Sequence, residues 1–208
     1  ISSRISLYDA LRCVYPEHEW LPWRFTSPPR RIWDDHNTRR AFVLWAGKQL
    51  NIKWPEGWYD VRVEDVLKLR GAHALVKHRY GSTLYRLLNE NFPEHTWLPW
   101  LFVKVPNDLW RSEKNRKWFF DWMGKQQGYE KLEDWYSVSI EDFARYGGAG
   151  LIRHTYGDCL ISALKSVYPN HEWLPWRFKR LPRGTWEIES GSTFVYSFIA
   201  ANFAHLID

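Results

Sequence analysis

Three copies of one aromatic segment, YPEHEWLPWRF (15–25), FPEHTWLPWLF (92–102) and YPNHEWLPWRF (168–178), decide the fold of this chain. The first tryptophan of each copy, at Trp20, Trp97 and Trp173, recurs after 77 and then 76 residues. A period of this length is typical of tandem helical repeats, whose neighbouring units share a core. We therefore expect an all-α repeat fold with a C-terminal half unit (1–55) and two whole units (56–132 and 133–208), as in a fragment of a longer array.

Four helices are predicted in each unit. The first covers 62–69 or 139–146, where Ser139 and Asp142 have the spacing of a capping box. A glycine turn at Gly71, or at 147–150, ends it because glycine readily adopts left-handed geometry. A short second helix follows at 72–80 or 151–156. The third has apolar residues at i, i+3, i+4 and i+7, and it ends before the proline of the aromatic segment.

The aromatic segment itself is predicted to be an extended loop, since a residue before proline avoids the helical region. The fourth helix is predicted to begin at the N-caps Asp35 and Ser112 and to end at Asn51 and Gly128, which tolerate a left-handed C-cap. Its counterpart in the last unit, from Ser192 to Ile207, is apolar around most of its girth. We expect that segment to be covered by a further unit, by a second copy of the chain in self-association, by a partner protein, or by its own core.

Nine rings of the aromatic segments have two interpretations. Turned outward, they would stack on nucleic-acid bases; turned inward, they would pack one helix pair against the next. Their strict register favours a structural core, in which each buried indole N–H should find a partner. The residues are Trp20, Trp23, Phe25, Trp97, Trp100, Phe102, Trp173, Trp176 and Phe178.

One histidine recurs two residues before the first tryptophan of each copy, as His18, His95 and His171. It is either a base or metal ligand, or a loop residue that hydrogen-bonds a backbone carbonyl. No carboxylate accompanies it in every copy, and acid–base chemistry needs such a partner. The loop role is therefore the favoured interpretation, and no catalytic or metal-binding residue is assigned.

The helix–glycine turn–helix segments are the best candidates for a binding function. Two short helices joined by such a turn are the frame of helix-turn-helix DNA readers. Alternatively, these cations are the ordinary complement of exposed helix ends, where they offset the helix dipole. The cations in and beside these helices are Lys68, Arg70, Lys77, His78, Arg79, Arg145, Arg153 and His154. A second basic stretch follows the last aromatic segment, at Arg177, Lys179, Arg180 and Arg183.

Two resemblances bear on this hypothesis. KHRYGSTLYRLL (77–88) and LIRHTYGDCLISAL (151–164) resemble the I-R-x-x-F-G-S-W-x-x-A-L core of the DNA-binding, helix-turn-helix-like repeats found beside homing endonucleases. Leu84 and Leu160 stand where that pattern has tryptophan. The whole unit also resembles tandem WLPWRF-type helical repeats of large eukaryotic proteins of unsettled function. The first resemblance implies DNA binding, whereas the second implies little chemistry.

Composition agrees with an acidic partner, because the net charge is +5 and the isoelectric point is about 9.2. Cys13 and Cys159 form no metal-binding spacing, which indicates a reducing intracellular compartment. No phosphate loop, nucleophile motif or membrane-length apolar run occurs. We therefore predict a non-enzymatic module without cofactors that binds nucleic acid, DNA in preference to RNA. The alternative is a protein-interaction scaffold.

Overall fold

The computed structural model describes residues 5–29 and 31–179. Within these ranges the chain is helical and has no strand, which confirms the all-α prediction. A π-helix at His73–Arg79, named π1 here, lies between α3 and α4. The α-helices are α1 Leu7–Val14, α2 His36–Gln49, α3 Val63–Leu67, α4 Leu84–Asn91, α5 Glu113–Gln126, α6 Ile140–Arg145, α7 Ala149–Tyr156 and α8 Leu160–Val167.

The two long helices, α2 and α5, have the caps that the sequence predicts. The side chains of Asp35 and Ser112 each accept a hydrogen bond from the backbone N–H three residues later. After the helices end, Asn51 and Gly128 adopt φ of 52° and 73°. The capping box of Ser139 and Asp142 is likewise confirmed at the start of α6.

The aromatic segments differ from the extended loop that we predicted. The leucine before each proline is extended, with φ/ψ of −91°/104°, −93°/101° and −92°/108° at Leu21, Leu98 and Leu174. The next three residues form one turn of 3₁₀-helix in every copy. Proline favours this outcome because its fixed φ suits the first helical position, where no N–H donor is required. The turns are Pro22–Arg24, Pro99–Leu101 and Pro175–Arg177.

The chain divides into two compact units, with the boundary between Asn107 and Asp108. In the first unit α2 packs against α4, and in the second α5 packs against α8. Fully buried Phe42, Leu75 and Leu87 belong to the first core. The repeat boundaries expected after residues 55 and 132 fall inside these two units. The packed pair of α2 and α4 spans the first boundary, and the pair of α5 and α8 spans the second.

Glycine is required at the turn between α3 and π1. Gly71 has φ of 85°, and a Cβ built on it would lie 2.6 Å from the Cβ of Trp23. Both the left-handed backbone and the close approach exclude a side chain. Gly147, at the corresponding place before α7, has φ of 84°. The glycine turn therefore brings the short second helix of each pair against the unit's core.

Candidate nucleic-acid interface

Each unit contains one helix–turn–helix-like pair, α3 with π1 in the first and α6 with α7 in the second. The second helix of each pair buries two consecutive apolar residues, Leu75-Val76 and Leu151-Ile152. Their burial directs the following residues, Lys77-His78 and Arg153-His154, to the exposed side. A cation followed by histidine is thus exposed at the same place in both units.

These four side chains have no internal partner within residues 5–29 and 31–179. None of them forms an ion pair or a side-chain hydrogen bond within the part of the chain that the structure describes. Lys77 and Arg153 therefore keep their full capacity for an external acceptor, for example a phosphate oxygen. They are the part of the predicted set that is best suited to binding.

The other cations beside the glycine turns have internal partners. Arg79 lies 3.5 Å from a carboxylate oxygen of Asp34 and 3.8 Å from one of Glu90. Lys68 Nζ donates to Asp65 over 2.7 Å, and this hydrogen bond holds the pKa of the Asp65 carboxyl below its usual range.

Arg145 similarly lies 3.4 Å from Asp142, and Arg70 donates to the Thr26 hydroxyl over 3.2 Å. All four of these paired cations are exposed. Internal pairing nevertheless reduces the charge that they offer to an external ligand.

The second predicted basic stretch lies beside a cleft of mixed charge. The Arg177 guanidinium stacks over the Tyr136 ring, 4.4 Å from its centroid, and the Lys179 backbone N–H donates to the Tyr136 carbonyl. The same cleft is lined by Glu130, Glu133 and Asp134. Arg180 and Arg183 lie outside the described residues, as does the segment from Ser192 to Ile207. These carboxylates therefore offset much of the positive charge that Arg177 and Lys179 bring to the cleft.

The nine aromatic residues are distributed between the core and a half-buried layer. Six of these residues each expose less than 6% of their own surface: Trp23, Trp97, Trp100, Phe102, Trp173 and Phe178. Trp20, Phe25 and Trp176 are half-buried. Rings at these positions pack against protein and are not presented for base stacking.

The first tryptophan of each aromatic segment has the expected hydrogen-bond partner for its indole N–H, whereas a later tryptophan of the first segment does not. Trp20, Trp97 and Trp173 donate to the carbonyl five residues earlier, over 3.1, 3.1 and 3.3 Å. By contrast, the buried indole nitrogens of Trp23 and Trp58 have no hydrogen-bond partner in the part of the chain that the structure describes. The expectation of a partner for every buried indole was wrong, and Trp23 instead packs against the rings of Trp33, Phe42 and Trp45.

The recurring histidine packs on a ring and forms no side-chain hydrogen bond in the described structure. In all three copies its centroid lies 4.4 Å from that of the tryptophan two residues later, in an edge-to-face arrangement. The interpretation that it hydrogen-bonds a backbone carbonyl was therefore wrong. Nε2 of His171 is buried and has no hydrogen-bond partner.

A buried arginine network in the first unit was not found from the sequence. Arg39 donates through Nε to Oδ1 of Asn91 over 3.0 Å and pairs with Glu90 at 3.3 Å. Neighbouring Arg40 forms two hydrogen bonds to Glu94, and these hold the pKa of the Glu94 carboxyl below its usual range. Asn91 and Glu94 follow their arginines by 52 and 54 residues, so no local sequence pattern indicates the pairing.

Among residues 5–29 and 31–179, no group of three or more His, Cys, Asp or Glu side chains has the arrangement of a metal site. Both cysteines are free thiols. No helix in these ranges has the length and apolar character needed to cross a membrane. The chain matches no protein family model, no curated protein and no solved structure.

Proposed function

We propose that this chain is a non-catalytic nucleic-acid-binding module that prefers duplex DNA to RNA. The observation that carries the proposal is the repeated, exposed and unpaired dipeptide on the second helix of each pair, Lys77-His78 and Arg153-His154. Exposed cations at the same place in two units suit a polyanion with a regular phosphate backbone. A short second helix presenting such residues also suits the major groove of DNA.

We further propose that the units are tandem repeats with a period of 76 to 77 residues, framed as 1–55, 56–132 and 133–208. Support comes from hydrogen bonds that recur at corresponding positions. The Tyr59 hydroxyl accepts from the Leu98 backbone N–H over 3.1 Å, and the Tyr136 hydroxyl accepts from that of Leu174 over 2.9 Å. A repeat array offers one similar binding surface per unit, which suits an extended ligand.

The test is a binding titration with labelled duplex DNA, single-stranded DNA and RNA over a salt series. The variant Lys77→Ala/Arg153→Ala should bind duplex DNA more weakly, and the slope of log K against log salt should fall by about 0.9 for each phosphate that the variant no longer neutralises. The matched control is Lys68→Ala/Arg145→Ala, which removes two exposed cations that are paired internally. The control should change the slope less.

Two results would contradict this proposal. One is the absence of tight binding to any of the three nucleic acids at low salt. The other is an equal decrease of slope in both double variants, which would show only a diffuse response to net charge. Tighter binding to RNA than to duplex DNA would reverse the stated preference.

A protein-interaction scaffold is the second candidate, and the surface of α1 favours it. Leu7 and Val14 are 67% and 65% exposed, whereas Leu84 and Val167, at corresponding positions of α4 and α8, are 5% and 8% exposed. The later helices pack against long helices, α4 against α2 and α8 against α5. The face of α1 is thus shaped to receive a helix of the same kind, and a second copy of the chain carries such helices.

Sedimentation velocity distinguishes this candidate. Leu7→Glu/Val14→Glu should abolish concentration-dependent association, whereas Val103→Glu, at a 58% exposed apolar residue elsewhere, should not. A wild-type chain that remains monomeric at high concentration would contradict self-association through α1.

A further inference from the structure

The buried arginine network of the first unit has no matching acidic partners in the second unit. The basic positions persist, since Arg39 and Arg40 correspond to Arg116 and Lys117. Each carboxylate is replaced by a neutral or basic residue. The replacements are Asp34 by Arg111, Glu90 by Ser166 and Glu94 by Asn170, and the amide of Asn91 is replaced by Val167.

The second unit has two unpaired buried nitrogens at this place, and the replacement of the Asn91 amide by Val167 accounts for one of them, Nε of Arg116. Within residues 5–29 and 31–179, Nε of Arg116 and Nε2 of His171 have no hydrogen-bond partner, and both residues line one open cavity of about 630 Å³. In the first unit the matching Nε of Arg39 is satisfied by Asn91. Native proteins leave few buried polar groups unsatisfied, and an unpaired one frequently marks a bound water or ion.

The Arg116 guanidinium is held in position from one side only. Its Nη1 donates to the carbonyls of Trp110 and Arg111 over 2.8 and 3.1 Å, and its side chain is only 13% exposed. Its nearest carboxylate, on Glu113, is 3.7 Å away on a side chain that is 92% exposed, so that pair contributes little. The guanidinium is therefore preorganised but not neutralised.

Further cations line the same cavity. Lys114 is exposed and has no ion-pair partner in the described structure, whereas Lys117 Nζ lies 3.0 Å from Asp121. The hydroxyl of Tyr168 also donates to Asp121, so this carboxylate is occupied on two sides. Glu113 also lines the cavity, but it is one carboxylate against the charges of Lys114 and Arg116. Positive charge therefore remains uncompensated, and an anion in the cavity compensates it.

We propose that this cavity binds a phosphate-type oxyanion, either free phosphate or the phosphate group of an ester. The anion replaces the carboxylates that the first unit supplies internally. It is bound by the charge of Lys114 and by the Nη2 side of the Arg116 guanidinium, since Nη1 is already bonded to two carbonyls. The site is built from residues other than Lys77 and Arg153, and it does not depend on the proposal of nucleic-acid binding.

The experiment introduces the acids of the first unit into the second. Ser166→Glu/Asn170→Glu alters two exposed residues of the cavity lining and should leave the fold intact. Lys165→Glu is the control, since it makes the same change in net charge at an exposed residue outside the lining. Affinity for inorganic phosphate is measured by calorimetry on the full chain, with chloride holding the ionic strength constant.

Wild type and Lys165→Glu should bind one phosphate, and Ser166→Glu/Asn170→Glu should bind it at least about tenfold more weakly, because like charges then face the anion. Phosphate that binds no better than chloride would overturn the proposal. Equal affinity in the double variant and the wild type would overturn it as well, because the anion would then lie elsewhere.

Duplex DNA titrated into the same three proteins separates the two sources of the phosphate group. Loss of both phosphate and DNA affinity in the double variant alone would support an ester phosphate of nucleic acid as the ligand. Loss of phosphate affinity alone would support a free phosphate. Because phosphate binding is measured without DNA, failure of the nucleic-acid proposal leaves this result interpretable.

Discussion

Replacing Asn91 by valine tests how the buried arginine of the first unit is stabilised. Asn91 is fully buried, and its side chain forms three hydrogen bonds. Oδ1 accepts from Arg39 Nε over 3.0 Å, and Nδ2 donates to the Tyr80 hydroxyl over 2.9 Å and to the Leu87 carbonyl over 2.8 Å. Valine has nearly the same volume but forms none of these bonds, so the perturbation is almost purely polar.

The expected cost follows from the groups that are left behind. A buried donor deprived of its partner costs about 1–3 kcal/mol, and the cost is greater when the group is charged. Arg39 keeps its bonds to the carbonyls of Trp33 and Asp34, and the apolar contacts of valine offset part of the loss. We therefore expect Asn91→Val to lower the free energy of unfolding by about 2–4 kcal/mol.

The matched control is the reverse change at the corresponding position, Val167→Asn. Asparagine there gives Arg116 Nε an acceptor but removes a valine that is nearly buried. These contributions oppose each other, so the free energy of unfolding should change by less than about 1 kcal/mol. Asn91→Val should therefore lower the free energy of unfolding, whereas Val167→Asn should leave it almost unchanged.

Urea unfolding followed by tryptophan fluorescence gives the free energies, and amide hydrogen exchange in α4 locates the effect in the first unit. A cycle with Arg39→Met isolates the interaction between the arginine and the amide. A coupling energy near zero, or an Asn91→Val cost below about 1 kcal/mol, would refute the reasoning.

Substitutions at a glycine turn, in the aromatic core and at a helix cap give three further predictions. Gly71→Ala should destabilise the chain by about 2–4 kcal/mol, because the alanine would be strained in the left-handed region and would overlap Trp23. Gly81 also has a positive φ, of 58°, but a Cβ built on it has no atom within 4 Å, so Gly81→Ala should cost only about 1 kcal/mol. Equal losses for the two variants in urea unfolding would contradict this. Trp97→Ala should cost about 3–5 kcal/mol in the same assay, and half-buried Trp20→Ala distinctly less; a stable Trp97→Ala would remove this ring from the core. Hydrogen bonds from the side chain and backbone of Thr38 lower the pKa of Asp35. The N-cap stabilisation by Asp35 should therefore be present at neutral pH and be lost as the pH falls through the lowered pKa of this carboxyl. If Asp35→Asn left the loss of stability at acidic pH unchanged, this prediction would be refuted.

Local sequence rules accounted for much of the helical framework. Asp35 and Ser112 could be recognised as N-caps because a short polar side chain ahead of an apolar helical pattern satisfies the first N–H groups locally. Asn51 and Gly71 could be recognised as left-handed positions for a similarly local reason. The 3₁₀ turn after each leucine of the aromatic segments escaped prediction, since proline is compatible with both an extended strand and a first helical position.

The state of the charged side chains could not be read from local sequence. Lys77 and Arg79 are two residues apart on one helix, yet only Arg79 lies near carboxylates, and these belong to Asp34 and Glu90. Which exposed cation is free depends on where Asp34 and Glu90, which are distant in sequence, lie relative to that helix. For the same reason, Arg116 was not identified as a candidate binding residue.

The exposed cations Lys77 and Arg153 recur in both units, whereas the arginine network occurs in the first unit alone. Lys77 and Arg153 preserve an exposed cation at one position, so a surface built on them belongs to both units and suits a ligand without a strict sequence requirement. The arginine network behaves differently, because the first unit neutralises Arg39 internally, whereas the second unit leaves Arg116 with an unpaired Nε. Two units with one scaffold therefore differ in their demand for an external anion. Under the two proposals, we expect a polyanion to bind the second unit more strongly than the first. Ser166→Glu/Asn170→Glu should remove that difference without altering Lys77 or Arg153.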